Sequence, residues 1–288
     1  MANTVVWNKH DYVARMRNRL NAPTAWKDVL NVKYANVRTI VNSSMATEPS
    51  VVTGTRGTAY GYQDFTLTAD TLTINTYRNI PILIDEADRF QQSYVDQMAI
   101  AEFQGKKINE YIEGQFLAQH ASWSDFGATD LAGTGSGDTT AITVGAGNVD
   151  DIMRAVKRKL YANNLVDMAV ENGVCIVWRA TDFELLEGFV QANGFTEADI
   201  ALKNGIPVQK GFYYGGITHY LSNSHTSGHV FAGVKRMGEI GILSGTYGQA
   251  KFIEDPGQIS GLGIVSRVDY GFNFPTYNVQ GFQDVNVA

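Results

Sequence analysis

One cysteine, Cys175, is all that this chain of 288 residues carries, so no disulfide can form within it. Its place in the apolar run GVCIVW marks a buried core thiol rather than a nucleophile. Cysteine this scarce suits a soluble protein made in a reducing compartment. Long hydrophobic runs are missing too, and none approaches the ~18 apolar residues that a bilayer span needs, so no membrane contact is expected. Met1 leads into the polar ANTVVWNKHD, without a charged start and an apolar segment, so no signal peptide is expected. Long basic runs are absent and the formal net charge is -6, which argues against sequence-specific nucleic-acid binding. A wall that merely encloses DNA would not need to be basic. Proline is sparse, 6 against 29 glycines; with 14 Tyr and 14 Phe this favours many turns and aromatic strands.

Chemical motifs fail one by one. Asp85-Glu86-Ala87-Asp88 spells a helicase box, but no phosphate loop lies upstream, and the acidic run serves better as the start of a helix. Gly133, Gly135 and Gly137 invite a phosphate-loop reading, yet no GK[ST] follows and no strand immediately precedes them, which leaves a flexible connection. His219, His225 and His229 form H-x5-H-x3-H across a polar loop with no carboxylate or thiolate close in sequence, so no metal is assigned. No G-x-S-x-G elbow and no cofactor fingerprint occurs. Catalytic, cofactor-binding and metal residues are therefore all expected to be absent, and the protein is not expected to be an enzyme.

What is present begins with a proline-free stretch over residues 85–119, which reads as one helix of about 50 Å at 1.5 Å per residue. Tyr94, Met98, Ala101, Gly105, Ile108 and Ile112 recur at 4-3-4-3-4 spacing, with Val95, Ala99 and Leu117 widening the stripe. Gln91, Gln92, Asp96, Gln97, Gln104, Lys107 and Asn109 lie opposite, so one side is expected to stay wet. Glu102, Lys106 and Glu110 continue in a favourable charge order.

Residues 1–36 read as an arm with two short helical pieces and a basic cluster, Arg15, Arg17 and Arg19. Residues 37–84 turn to strand periodicity: one run leads out, and Leu72, Ile74, Ile80, Ile82 and Ile84 share a parity on the return. Pro81 places the returning strand at an edge or bulge. The connection between the runs is rich in Gly and Thr and holds Arg56, Tyr60 and Tyr62. A long ribbon with no core of its own calls for a partner subunit. After the glycine-rich loop, residues 148–234 form a compact α/β unit. Asn148 is expected to cap its first helix, Lys157 to Lys159 to complement that helix's dipole, and Thr181 with Glu184 to make a capping box. From residue 235 the chain is mostly strand, with a turn at Pro256-Gly257 and a break at Gly271.

This order of parts resembles the major capsid protein of tailed bacteriophages, the Hong Kong 97-type fold. TLTINTYRNIPILIDEAD looks like the extended loop returning into that family's spine helix. KLYANNLVDMAVENGVCIVWRATDFELL with GGITHYLSNSH looks like its axial domain, and GIVSRVDYGFNFPTYN like the C-terminal strand of its peripheral domain. The resemblance implies an α+β chain: N-terminal arm (1–36), extended β-ribbon or E-loop (37–84), P-domain with spine helix and β-sheet (85–147 and 235–288) and A-domain (148–234). It implies a virion shell subunit assembling in the host cytoplasm into hexamers and pentamers around double-stranded DNA. Arg15, Arg17, Arg19, Arg56, Tyr60 and Tyr62 become candidates for contact between copies. The resemblance implies a scaffolding protein and a portal as partners, with room for a decoration protein. One branch of the family links a ribbon lysine to a neighbour's asparagine, but no lysine lies between Lys33 and Lys106, so closure is expected to be noncovalent. No long extra N-terminal domain serves as a built-in scaffold, so the scaffold is expected to be a separate chain. An encapsulin-type nanocompartment shares the fold, and a monomeric ligand-binding module is the rival from another class.

Overall fold

The structure is a computed structural model that describes residues 9–22, 24–45, 51–57, 59, 61–62, 67–85, 94–134, 137–192, 212–254, 261–275 and 279–288. The N-terminal segment forms two helices, α1 (Lys9–Leu20) and α2 (Ala25–Val29), and then strand β1 (Asn31–Ala35). Strands β2 (Thr39–Met45) and β3 (Leu67–Thr73) make the ribbon, and β4 (Thr76–Ile84) returns to the body. The long helix, α3, is described over Tyr94–Leu117; the expected acidic start at Glu86 and Asp88 lies outside the described residues. It ends at Leu117, and a single 3-10 turn over His120–Ser122 follows.

The apolar stripe of α3 is buried as its spacing predicts, with Ala101, Ile108 and Ile112 inside. The opposite face is not wet along its length, contrary to expectation. Gln97, Gln104 and Asn109 are buried as well. For Gln104 and Asn109 the cause is α1, whose Tyr12, Met16 and Leu20 recur every four residues and lie fully buried. Gln104 accepts hydrogen bonds from the hydroxyls of Tyr12 (2.8 Å) and Ser266 (2.6 Å) and donates to the Ile80 carbonyl (3.2 Å). Asn109 donates to the carbonyls of Arg19 and Leu20 in the last turn of α1. Gly105 sits where the helices cross, since a Cβ there would stand 2.8 Å from the Met16 carbonyl oxygen. Glu102 pairs with Arg15 of α1, while Lys106 and Lys107 both reach Glu110.

Two sheets flank the helix. Strand β12 (Leu262–Asn273) is the axis of the first: β10 (Glu239–Leu243) and β11 (Gln249–Ile253) pair along one side of it, and β4 along the other. Strand β1, from the segment expected to be an arm, adds parallel to β10. Among the described residues β4 pairs only with β12, which places Pro81 on an edge strand as expected. The break expected at Gly271 is absent; β12 runs through it. The expected turn at Pro256-Gly257 lies outside the described residues.

The second sheet has the order β5 (Ser124–Phe126), β13 (Phe282–Asn286), β9 (His229–Val234), β6 (Val174–Trp178), β8 (Ile217–Leu221) and β7 (Phe212–Tyr214). It thus draws strands from outside residues 148–234. Every residue of β6 is buried, and burial pushes the Cys175 thiol up to about 12, the state of an inert core sulfur. Helices α5 (Val149–Ala162), α6 (Val166–Asn172) and α7 (Ala180–Ala192) accompany this sheet. The glycine-rich segment ahead of them, expected to be flexible, is tied down. It contains a short helix, α4 (Ala128–Ala132), and the Asp130 carboxylate accepts from the amides of Gly127 (3.2 Å), Gly137 (3.3 Å) and Asp138 (3.0 Å). That cluster of amides resembles an anion nest, filled by the chain's own carboxylate.

Several local expectations change for the same reason, that tertiary partners outbid helix ends. Asn148 precedes α5 but turns its side chain back, accepting from Gly145 and donating to Thr143. Lys157, Arg158 and Lys159 do not simply complement the dipole; they reach the carbonyls of Gly215, Asp130 and Asp125. Thr181 lies inside α7 rather than capping it, and Arg179 at the start forms an ion pair with Asp182 at 2.6 Å. The sequence also marks Asn193-Gly194 as a stop for that helix, and the pair lies outside the described residues.

His219 on β8 is fully buried. Its Nδ1 accepts from the Trp178 indole (2.9 Å) and its Nε2 faces the Tyr214 carbonyl (3.2 Å). Burial pushes its pKa down to about 4. The unfolded chain takes that proton near pH 6.5, so acid favours unfolding, with stability complete above 6.5 and lost progressively towards pH 4. The loss should be about 3 kcal/mol at about 1.4 kcal/mol per pH unit. Thermal melts between pH 7.5 and 4 should show it, and His219→Asn should flatten the slope even if its melting temperature is lower throughout. A wild-type melting temperature that does not fall across this window would contradict it.

Candidate assembly interface

The ribbon is the surface feature that most needs explaining. Strands β2 and β3 pair antiparallel from Thr39↔Thr73 to Met45↔Leu67 and, among the described residues, form a two-stranded sheet of their own. Apolar side chains are exposed here: Val41 of β2, Leu67 of β3 and Val52 of the connection are more than half exposed, and Val51 and Tyr62 of the connection almost wholly so. Arg56 is exposed near the turn, and Tyr60 lies outside the described residues.

The root, by contrast, is fixed. Lys33 of β1 bridges to Glu239 of β10 at 2.5 Å and donates to Asn42 of β2 at 2.9 Å, while Asn42 donates to Glu239 at 2.6 Å. This three-way clamp ties the outgoing strand to the first sheet. On the returning strand, Leu72 and Ile74 are buried, and the expected parity continues through Ile84. They cross the sheet over two glycines, Gly241 and Gly271, which stand directly opposite each other on β10 and β12. A Cβ on Gly271 would lie 2.0 Å from the Thr73 carbonyl oxygen, and one on Gly241 3.0 Å from Leu72 Cδ2. The pair is a flat seat for the ribbon. A glycine inside a strand signals either a bulge or a close backbone approach, and here it is the approach.

The basic cluster on α1 has partners in its own chain. Arg15 pairs with Glu102, and the Arg17 Nε donates to the Gly248 carbonyl at 2.9 Å. Arg19 lines a cavity of about 470 Å³ with Lys106, Glu110, Glu113 and Ser222. Burial raises the Glu113 carboxyl, and the Ser222 hydroxyl donating at 2.5 Å opposes that rise. The segment expected to lie on another surface thus lies on α3 and the first sheet of its own chain. Asp28 on α2 adds a tie to the second sheet, accepting from Tyr220 and, at 2.8 Å, from Lys235.

The histidine trio read from the sequence does not act together. His219 belongs to the core, whereas His229 at the start of β9 meets His120 and Asp284, neither of them close in sequence. Burial raises the Asp284 carboxyl, and the two imidazoles oppose that rise.

No protein-family model and no curated protein matches the sequence. Solved structures do match. The chain aligns with a structure from Mycobacterium phage Che8 at a TM-score of 0.58 and 15% identity, covering 86% of this chain and 84% of that one. The capsid of Ralstonia phage GP4 matches at 0.62 and 8% identity over 92% and 90% of the two chains. A virus-like particle from Pyrococcus furiosus matches at 0.59 and 8% identity over 98% and 100%. The architecture is thus that of shell-building proteins. Specifically, the chain has the Hong Kong 97-type capsid fold. No helix among the described residues is long and apolar enough to cross a membrane.

Proposed function

We propose that this chain is a major capsid protein, which assembles into hexamers and pentamers of an icosahedral virion shell around the double-stranded DNA of a tailed phage. The observation that carries the reading is the ribbon, anchored at one end and carrying exposed apolar side chains beyond it. A two-stranded ribbon alone is marginal in water, and bare Val51, Val52 and Tyr62 call for a neighbouring copy as cover. In this reading Arg56, Tyr60 and Tyr62 meet that neighbour, and Arg15, Arg17 and Arg19 offer it the donors that their own-chain contacts leave over. The unit around the second sheet is the axial part of a capsomer, and α3 with the first sheet is the peripheral part. A separate scaffolding chain, a portal and a decoration protein complete the particle, assembled in the host cytoplasm, with DNA enclosed but not read.

Negative-stain microscopy and light scattering of the overexpressed chain test this. Capsomers or particles tens of nanometres wide are expected, and a monodisperse monomer in dilute buffer would end the reading. Denaturing electrophoresis of the particles should give single-chain bands, since a ladder of linked subunits contradicts noncovalent closure. Nuclease-protected DNA copurifying with portal and tail proteins marks a virion, whereas a cargo enzyme marks a nanocompartment.

A further inference from the structure

Where the long helix hands over to the second sheet, three metal-capable side chains from remote parts of the chain converge. His120 lies in the 3-10 turn after α3, His229 opens β9, and Asp284 lies on β13. The Asp284 carboxylate stands 2.8 Å and 3.0 Å from His229 Nδ1 and 3.4 Å from His120 Nδ1. The imidazoles stack with centroids 3.7 Å apart and planes at 21°. One candidate ligand atom from each residue lies within 4.8 Å of the others. Asp284 is buried at 3% side-chain exposure, while His120 and His229 are open at 23% and 26%, so solvent can reach the imidazoles.

We propose that His120, His229 and Asp284 bind a divalent first-row transition-metal ion of the zinc type. A single imidazole N–H would satisfy the buried carboxylate, and His229 already does so. The second imidazole gains little from that carboxylate at 3.4 Å, but it supplies the third ligand of a two-histidine, one-carboxylate set. Nitrogen and oxygen ligands bind zinc at about 2.0–2.2 Å, so a small fanning of the stacked rings brings all three onto one ion. Two imidazoles against one carboxylate favour zinc, cobalt or nickel over calcium and magnesium, which take oxygen ligands. Three protein ligands leave a position for water. An ion held there would staple the end of α3 to β9 and β13, a role for the chain itself that does not rest on its assembling into a shell.

The test titrates the chelator-stripped full-length chain, in whatever assembly state it purifies, with zinc chloride and separately with cobalt chloride, using magnesium chloride as the control. One equivalent of zinc should bind and raise the melting temperature, cobalt should develop a ligand-field absorption band, and magnesium should do neither. His120→Gln and His229→Gln should each weaken zinc binding at least tenfold, whereas His10→Gln on α1 should leave it unchanged. The wild-type shift in melting temperature keeps the test decisive if either variant fails to fold. Absence of zinc binding to the wild-type chain, or binding that survives both His120→Gln and His229→Gln, would overturn the proposal.

Discussion

Gly271→Val should unseat the ribbon. Any side chain at this position begins 2.0 Å from the Thr73 carbonyl oxygen, a contact with backbone that no rotamer relieves. Ordinary overpacking costs about 1–3 kcal/mol because flexible side chains give way. Here either β12 must bend, breaking its pairing with β10 or β4, or the β3–β4 crossing must lift and expose Leu72 and Ile74. The second outcome disturbs fewer hydrogen bonds and is the one expected. A fall of 1–2 kcal/mol in local stability alone multiplies the open population about 5–30-fold. Limited proteolysis should therefore cut within residues 67–85 many times faster than in the wild type, and under the proposed shell function particle yield should collapse while the second sheet keeps its near-ultraviolet signature. Wild-type protease resistance together with normal particles would show that the seat does not matter.

The second large effect falls on Phe116, near the end of α3. Its ring lies 5.5 Å from Trp123 and 5.1 Å from Phe231 of the second sheet, and 6.5 Å from both Phe272 of the first sheet and Phe274 beyond it. The two sheets meet through this residue. Phe116→Ala loses the transfer energy of a fully buried ring and leaves a cavity among rigid aromatics that cannot collapse, about 3–5 kcal/mol in all. Calorimetry should show a melting temperature lower by roughly 10 °C. Because the joint is what weakens, the single transition should broaden or split as the sheets uncouple. Phe116→Leu should cost far less and keep one transition. A Phe116→Ala variant melting within a degree or two of the wild type would place the joint elsewhere.

How much of this was legible in the sequence depended on range. The stripe on α3 and the parity from Leu72 to Ile84 were visible because local periodicity reports which face a neighbour covers. The burial of Gln104 and Asn109 was not, because polar residues read as wet until Tyr12, Ser266 and the end of α1 supply their partners. Those partners lie 89 or more residues away along the chain. Gly271 was noticed and misread: the sequence marks an oddity in the strand but not the Thr73 backbone that crosses it. Lys33, Asn42 and Glu239, like His120, His229 and Asp284, have no shared motif, and only the pairing of distant strands assembles them. The reading of Arg15 and Arg17 failed to anticipate partners within the chain because nothing local to them marks Glu102 or Gly248.

The clamp of Lys33, Asn42 and Glu239, with the paired glycines beneath Thr73, bears on how a closed surface would curve. A lever bolted at its fulcrum cannot swivel there. If five-fold and six-fold rings are built from this one chain, the difference in tilt between neighbours must then be absorbed farther out along β2 and β3, away from the clamp.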